Sequence, residues 1–152
     1  MLRSNWISKK LIMIGLSGTL FRKLLNFFQL PQTLITLIMN TITSTGFHIL
    51  WNGSPLLKVV PSRGIRQGNP LSPYLFILCL ERLSIKLDEA VLNKLIHPIS
   101  FRGRVRLSHL FFTDDIFLFT RANVRDCKNL GGILLNFCES SGQLMSVTKS
   151  KV

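Results

Sequence analysis

The segment Leu107-Ser-His-Leu-Phe-Phe-Thr-Asp-Asp-Ile-Phe-Leu-Phe119 sets two adjacent carboxylates, Asp114 and Asp115, between apolar runs too short to be anything but strands. Two unit charges about 4 Å apart repel by roughly 4 kcal/mol at an effective dielectric near 20, so an acidic pair at the tip of a half-buried hairpin needs a cation beside it. Residues 1–80 contain no Asp or Glu at all. Carboxylate chemistry must therefore come from the second half of the chain.

With 152 residues, 47% of them hydrophobic and 17% charged, the chain is long and apolar enough to bury a core as one domain. Its net charge of +12 points to a polyanion such as nucleic acid, and less strongly to an anionic membrane surface. Residues 1–80 hold eight of the basic groups and none of the acidic ones, so the first half is the stronger attractor. Cys79, Cys127 and Cys138 show no metal-ligand spacing and read as reduced core residues, so zinc is not implied. Arg3, Lys9 and Lys10 precede an uncharged run from Leu11 to Phe21 that superficially resembles a signal peptide. That run is too short to span a bilayer, and Pro31 and several polar residues break the uncharged stretch from Leu24 to Leu57.

Leu20, Phe21, Leu24, Leu25, Phe27 and Phe28 fit one helix face ending at Pro31, and Leu34, Ile35, Ile38 and Ile42 fit a second. Phe47–Trp51 and Leu56–Val60 read as strands joined at Asn52-Gly53, a pair that accepts the positive φ of a two-residue hairpin turn. A Gly- and Pro-rich loop, residues 61–73, leads into a long helix over about 73–95. Ser72 is its expected N-cap, and Leu75, Phe76, Cys79, Leu80, Leu83 and Leu87 its expected buried stripe. Short strands are expected over 99–119, with a turn near Arg102-Gly103. A helix over about 124–141, weakened by Gly131-Gly132, and a last strand over 144–148 complete the chain.

Three segments carry chemistry. Hard carboxylate ligands suit Mg²⁺, which takes one or two carboxylates and fills its octahedron with water and substrate phosphates. Because neighbours on a strand point to opposite faces, Asp114 is expected to be the principal ligand and Asp115 the auxiliary one. In Arg63-Gly-Ile-Arg-Gln-Gly-Asn-Pro70, Gly64 and Gly68 allow close backbone approach, Arg63 and Arg66 attract phosphates, and Gln67 offers a donor and an acceptor to a base or sugar. Lys149-Ser-Lys151 adds a basic pair. A solvated turn, an ordinary Gly/Pro loop and a frayed terminus are the respective structural alternatives.

Taken in order, Arg63-Gly-Ile-Arg-Gln-Gly-Asn-Pro-Leu-Ser-Pro73, His109-Leu-Phe-Phe-Thr-Asp-Asp115, and Ser141-Gly-Gln143 with Lys149-Ser-Lys151 resemble the palm motifs of reverse transcriptases from non-LTR, LINE-type retrotransposons, particularly the plant kind. The resemblance covers residues 20–152 and leaves 1–19 as an unmatched segment. It implies an α+β fold, a truncated palm-like antiparallel sheet with an Asp-Asp hairpin and helices packed on one face. It also implies RNA-directed DNA synthesis by two Mg²⁺ ions, with an RNA template and DNA primer as partners. Asp114 and Asp115 would be catalytic metal ligands, and Arg63, Arg66, Gln67, Gly68, Asn69, Pro70 and Lys149 would contact nucleotide or template. The family has a further metal-binding Asp on the palm's first strand, and no acidic residue precedes Glu81 here. Glu81 is expected inside the long helix, away from that strand. Asn69, Thr113 and Ser146 stand where the family usually has Asp, Ala and Asn. The isolated chain is therefore expected to be inactive as a polymerase. A non-catalytic basic RNA- or DNA-binding protein is the alternative, and membrane association through the N-terminus a third, weaker reading.

Overall fold

Apolar residues recurring every three or four positions, cut by Pro31, form a helix pair near the start of the computed structural model, which describes residues 4–12, 18–43, 46–59, 70–101, 105–113, 115–141 and 144–151. Helix α1 (Gly18–Phe27) ends in a Schellman motif, in which Leu30 N–H donates to Leu25 O at 3.3 Å and Gln29 N–H to Asn26 O at 2.9 Å. Gln29 takes the left-handed conformation this requires, at φ 54°. Helix α2 (Gln32–Thr43) buries Ile35 and Met39 against α1's Phe21 and Leu25. The stripe is thus rotated from the one the sequence suggests. Leu34 stays 40% exposed and Ile38 and Ile42 only flank the core, because Met39, four residues after Ile35, takes the central place.

Strands β2 (Phe47–Trp51) and β3 (Ser54–Val59) form the expected hairpin, with Asn52 at φ 49° and Gly53 at φ 80° in the turn. Both central residues having φ above zero is what a type I′ turn demands. After Pro70, helix α3 (Ser72–Leu92) runs twenty-one residues. Leu71, not Ser72, occupies its N-cap and makes no side-chain cap bond there, since Ser72 already has entered the helix with Pro73 in the first turn. Leu75, Cys79, Leu80, Leu83, Leu87 and Ala90 are buried, while Phe76 lies at the core's margin. The Arg82 guanidinium sits 3.7 Å from the centroid of the Phe27 ring, tying α3 to α1 by a cation–π contact. A second Schellman motif closes α3, with Lys94 at φ 55° and Leu95 N–H donating to Ala90 O at 2.8 Å.

Strands β4 (Ile99–Phe101) and β5 (Val105–Leu107) pair as a short ribbon; the expected turn at Arg102-Gly103 lies outside the described residues. The main sheet is antiparallel throughout, in the order β6-β7-β1-β8. It comprises β6 (His109–Phe112), β7 (Asp115–Arg121), β1 (Ser4–Ile12) and β8 (Leu144–Lys151). Along β7 burial alternates, with Ile116 and Leu118 fully buried toward the helices. A one-residue slip would turn both outward, at about 1.5–3 kcal/mol each, so the register is firmly set. Helix α4 (Val124–Ser141) spans the range the sequence suggests and passes unbroken through Gly131 and Gly132. Burial of Leu130, Leu134 and Phe137 along one face outweighs a glycine penalty of about 2 kcal/mol for the pair. Among the described residues no helix is long and apolar enough to cross a membrane.

Candidate functional site

The acidic pair sits where β6 turns into β7. Phe112 pairs with Asp115, and Thr113, next after Phe112, is left-handed at φ 52°. That conformation is unusual for a β-branched residue, and the Thr113 hydroxyl donates to Phe112 O at 2.7 Å beside it. Asp114, the expected principal ligand, lies outside the described residues.

Asp115 is half-buried and begins the face of β7 turned away from the core. Phe117 and Phe119 follow on that face, and the paired strand β6 adds Leu110 and Phe112, 52% and 68% exposed. The other neighbour, β1, sets Lys10 opposite Asp115, Ser8 opposite Phe117 and Trp6 opposite Phe119. Across β1, Ser146 pairs with Lys10 and Lys151 with Ser8, with an irregularity in register between the two pairs. Lys149 falls in that irregular stretch of β8. The open face thus sets aromatic positions beside cationic ones, with Asp115 the carboxylate of its described rungs.

Two polar clusters hold the hairpin in place. His109, on the helix-covered face of β6, hydrogen-bonds through Nε2 to Ser84 Oγ of α3 at 2.8 Å and through Nδ1 to Ser108 Oγ at 2.9 Å. Burial pushes its pKa below the ordinary value, against the pull of Asp88 and Glu81 in the other direction. A neutral ring with one donor and one acceptor nitrogen suits two hydroxyl partners. At the far end of β7, Asp126 is 1% exposed and accepts from His97 N–H at 2.9 Å, His97 Nδ1 at 3.0 Å and Thr120 Oγ1 at 3.1 Å. Asn123 caps α4 by accepting Asp126 N–H at 2.7 Å.

A cavity of about 570 Å³ opens on the helix side of the hairpin, lined by Pro73, Phe76, Leu80, Glu81, Phe111 and Thr113 among others. Glu81 lies in α3, as expected, and reaches this cavity rather than β1. Among the described residues no three His, Cys, Asp or Glu side chains gather as a metal site. Strand β1, paired with β7, contains no Asp or Glu where a two-ion centre needs a further carboxylate, so its composition does not fit a Mg²⁺ pair. Arg63, Arg66, Gln67, Gly68 and Asn69 lie outside the described residues, and Pro70 is exposed in the turn before α3. Cys79 is buried, which pushes its thiol up to about 12 and suits it to the core.

Sequence reasoning missed β1, and with it Lys10 and Ser8, because Asn5-Trp-Ile-Ser-Lys-Lys-Leu-Ile12 does not alternate polar and apolar residues. It also missed the Asp126 cluster, although Asn123 followed three residues later by Asp126 is a capping pattern that marks the start of a helix.

The fold is shared with apo telomerase of Candida tropicalis truncated from its C-terminal domain, at a TM-score of 0.72 and 13% identity over 96% of this chain and 30% of that one. In sequence, the chain is 47% identical over 72 residues to an uncharacterized mitochondrial protein of Arabidopsis thaliana, covering 45% of this chain and 59% of that one. It is 29% identical over 100 residues to the retrovirus-related Pol polyprotein of the type-2 retrotransposable element R2DM of Drosophila melanogaster. That match covers 66% of this chain and 9% of the relative, so the chain spans only a small part of the polyprotein. The palm-like sheet, its acidic hairpin and a match of residues 19–152 to the family model together place the chain in the reverse transcriptase (RNA-dependent DNA polymerase) family.

Proposed function

We propose that these residues form a nucleic-acid-binding palm that does not itself extend a primer. The reading is carried by the open sheet face, where Phe112, Phe117 and Phe119 adjoin the register positions of Trp6, Lys10 and Lys151. Aromatic rings stack on bases, and ammonium groups neutralise phosphates. The loop bearing Arg63, Arg66, Gln67, Gly68 and Asn69, with Pro70 and Lys149, supplies further contacts to template or nucleotide. Asp114 and Asp115 remain as the acidic tip of the hairpin. Phosphoryl transfer by two ions has no third carboxylate on β1 to support it, so no chemical step is assigned to them.

Binding of labelled RNA and DNA, single- and double-stranded, across a salt series tests the proposal. Affinity should fall steeply with salt, and Arg63→Gln with Arg66→Gln should flatten the duplex slope by about 0.9 for each phosphate that is no longer neutralised. Phe112→Ala should weaken single-strand binding by about 1–3 kcal/mol. An unchanged slope together with unchanged single-strand affinity would place the surface elsewhere. Template-dependent nucleotide incorporation that Asp114→Ala abolishes would overturn the absence of polymerase activity.

A further inference from the structure

A two-stranded ribbon alone is marginal in water, and a third strand or a covered face is what makes such a sheet stable. Strands β2 and β3 pair with each other and, among the described residues, with no other strand. Their ribbon is nonetheless apolar. Leu50 is 69% exposed, Trp51 68% and Leu57 91%, with Ile49 and Leu56 about half exposed beside them. Leu50 stands opposite Pro55 and Trp51 opposite Ser54 on successive rungs, so apolar side chains leave both faces of the ribbon. Five such side chains within residues 49–57 form a patch of the kind that marks an interaction site. The two edges of the ribbon differ. Strand β3 carries Pro55, which has no N–H to offer, and Lys58, both of which keep an edge from pairing. Strand β2, Phe47-His-Ile-Leu-Trp51, has neither a proline nor a Lys or Arg. His48 braces it against β3 through Nδ1, which hydrogen-bonds to Leu56 O at 2.8 Å.

From this edge and this patch we infer that β2 accepts an extended segment of a partner protein, alternating apolar and acidic residues, as a third strand of the ribbon. Backbone hydrogen bonds along the edge would supply affinity, and alternate side chains specificity. The charge of the partner follows from the surroundings. Lys58 stands opposite His48 at the base of the ribbon, its methylenes run over Gly46 where any Cβ would collide with them, and residues 1–80 hold no Asp or Glu. A second copy of this chain would bring +12 against +12. Four of the five exposed apolar side chains are aliphatic and have no ring to stack on a base, so nucleic acid matches this surface less well than a peptide does. The ribbon is a separate sheet from the one assigned to nucleic acid, so either reading can fail alone.

The experiment follows amide hydrogen exchange of the full chain, residue by residue, as the peptide acetyl-Glu-Val-Glu-Val-Glu-Val-Glu-amide is added. Exchange should slow along β2 and stay unchanged along β3. The same peptide N-methylated along its backbone keeps its side chains and loses its donors, and should bind about tenfold more weakly or not at all. The analogue with Lys in place of Glu should also bind at least about tenfold more weakly. Lys58→Glu, an exposed change, should weaken the Glu peptide about two- to fivefold and strengthen the Lys peptide by a similar factor. Equal binding of the N-methylated peptide would overturn strand addition, and equal binding of the Lys peptide would overturn the acidic partner. Protection that falls on β3, or outside the ribbon, would overturn the assignment to β2. So would protection of β2 by single-stranded oligo-dT but not by the Glu peptide, or by self-association of the parent without any peptide.

Discussion

Replacing Asp126 by Ala removes the acceptor on which three donors converge. Its Oδ2 takes the backbone N–H of His97 at 2.9 Å, the ring Nδ1 at 3.0 Å and the Thr120 hydroxyl at 3.1 Å, with 1% of the residue exposed. Hydrogen bonds to a charged acceptor contribute about 1.5–3 kcal/mol each, and a buried donor left without a partner costs about 1–3 kcal/mol. The three share one carboxylate and do not add, so the expected loss is about 3–4 kcal/mol, a large part of a typical domain's 5–15 kcal/mol. Asp126→Asn keeps one acceptor oxygen and should lose about half as much. Burial alone would raise the Asp126 pKa, but the hydrogen bonds from His97, Thr120 and Asn123 outweigh it and hold the carboxyl below its ordinary 3.8. A carboxyl depressed on folding stabilises fully above its unfolded pKa and loses that contribution as pH falls through the lower, folded value. Urea unfolding of the parent and Asp126→Asn should therefore show a stability gap that is constant near neutrality and narrows below about pH 4. The pKa of His109 is also depressed, so protonation below its ordinary 6.5 weakens both proteins alike and cancels in the difference. An Asp126→Ala loss under 1 kcal/mol at pH 7, or a gap that stays flat down to pH 3, would refute the reasoning.

Thr113→Gly relieves a left-handed β-branched residue, worth about 1–2 kcal/mol, against about 0.5–1 kcal/mol of added chain entropy, so chemical denaturation should show a net gain of roughly 0.5–1 kcal/mol. Thr113→Val keeps the strain and loses the hydroxyl bond to Phe112 O, and should be less stable than the parent by about 1 kcal/mol. A Cβ on Gly132 meets nothing within 4 Å, so Gly132→Ala should raise stability by about 0.8–1 kcal/mol in the same assay. Thiol labelling of the folded protein at pH 8 should spare Cys79, which is buried with a pKa near 12, and modify it only on unfolding, while half-buried Cys127 and Cys138 react first.

Local rules sufficed where the chain decides its own geometry. Asn52-Gly53 specified its turn, and the spacing of Leu75, Cys79, Leu83 and Leu87 specified the buried side of α3. The acidic hairpin was readable because apolar runs bracket Asp114 and Asp115. Where packing across the chain decides, the sequence was mute. Residues 4–12 lack alternation and become a strand because β7 and β8 offer hydrogen-bonding edges on either side. The pairing of Lys10 with Asp115 in the ladder is set by a register that no short-range rule supplies.

The place of β1 also sets a timetable for folding. The strand made first lies between two made late, and Lys10 must find Asp115 about a hundred residues downstream. At a synthesis rate of about 5–20 residues per second, β1 waits roughly 5–20 seconds for its partners, whereas the β6–β7 hairpin can close within about 1–10 microseconds of leaving the ribosome. During that interval β1 has neither of its partner strands, so its backbone edges are open to pairing with another nascent chain. Expression of this protein should accordingly be more sensitive to chaperone supply and growth temperature than a helical chain of the same length, and fusions that impede residues 4–12 should shift material from the soluble to the insoluble fraction.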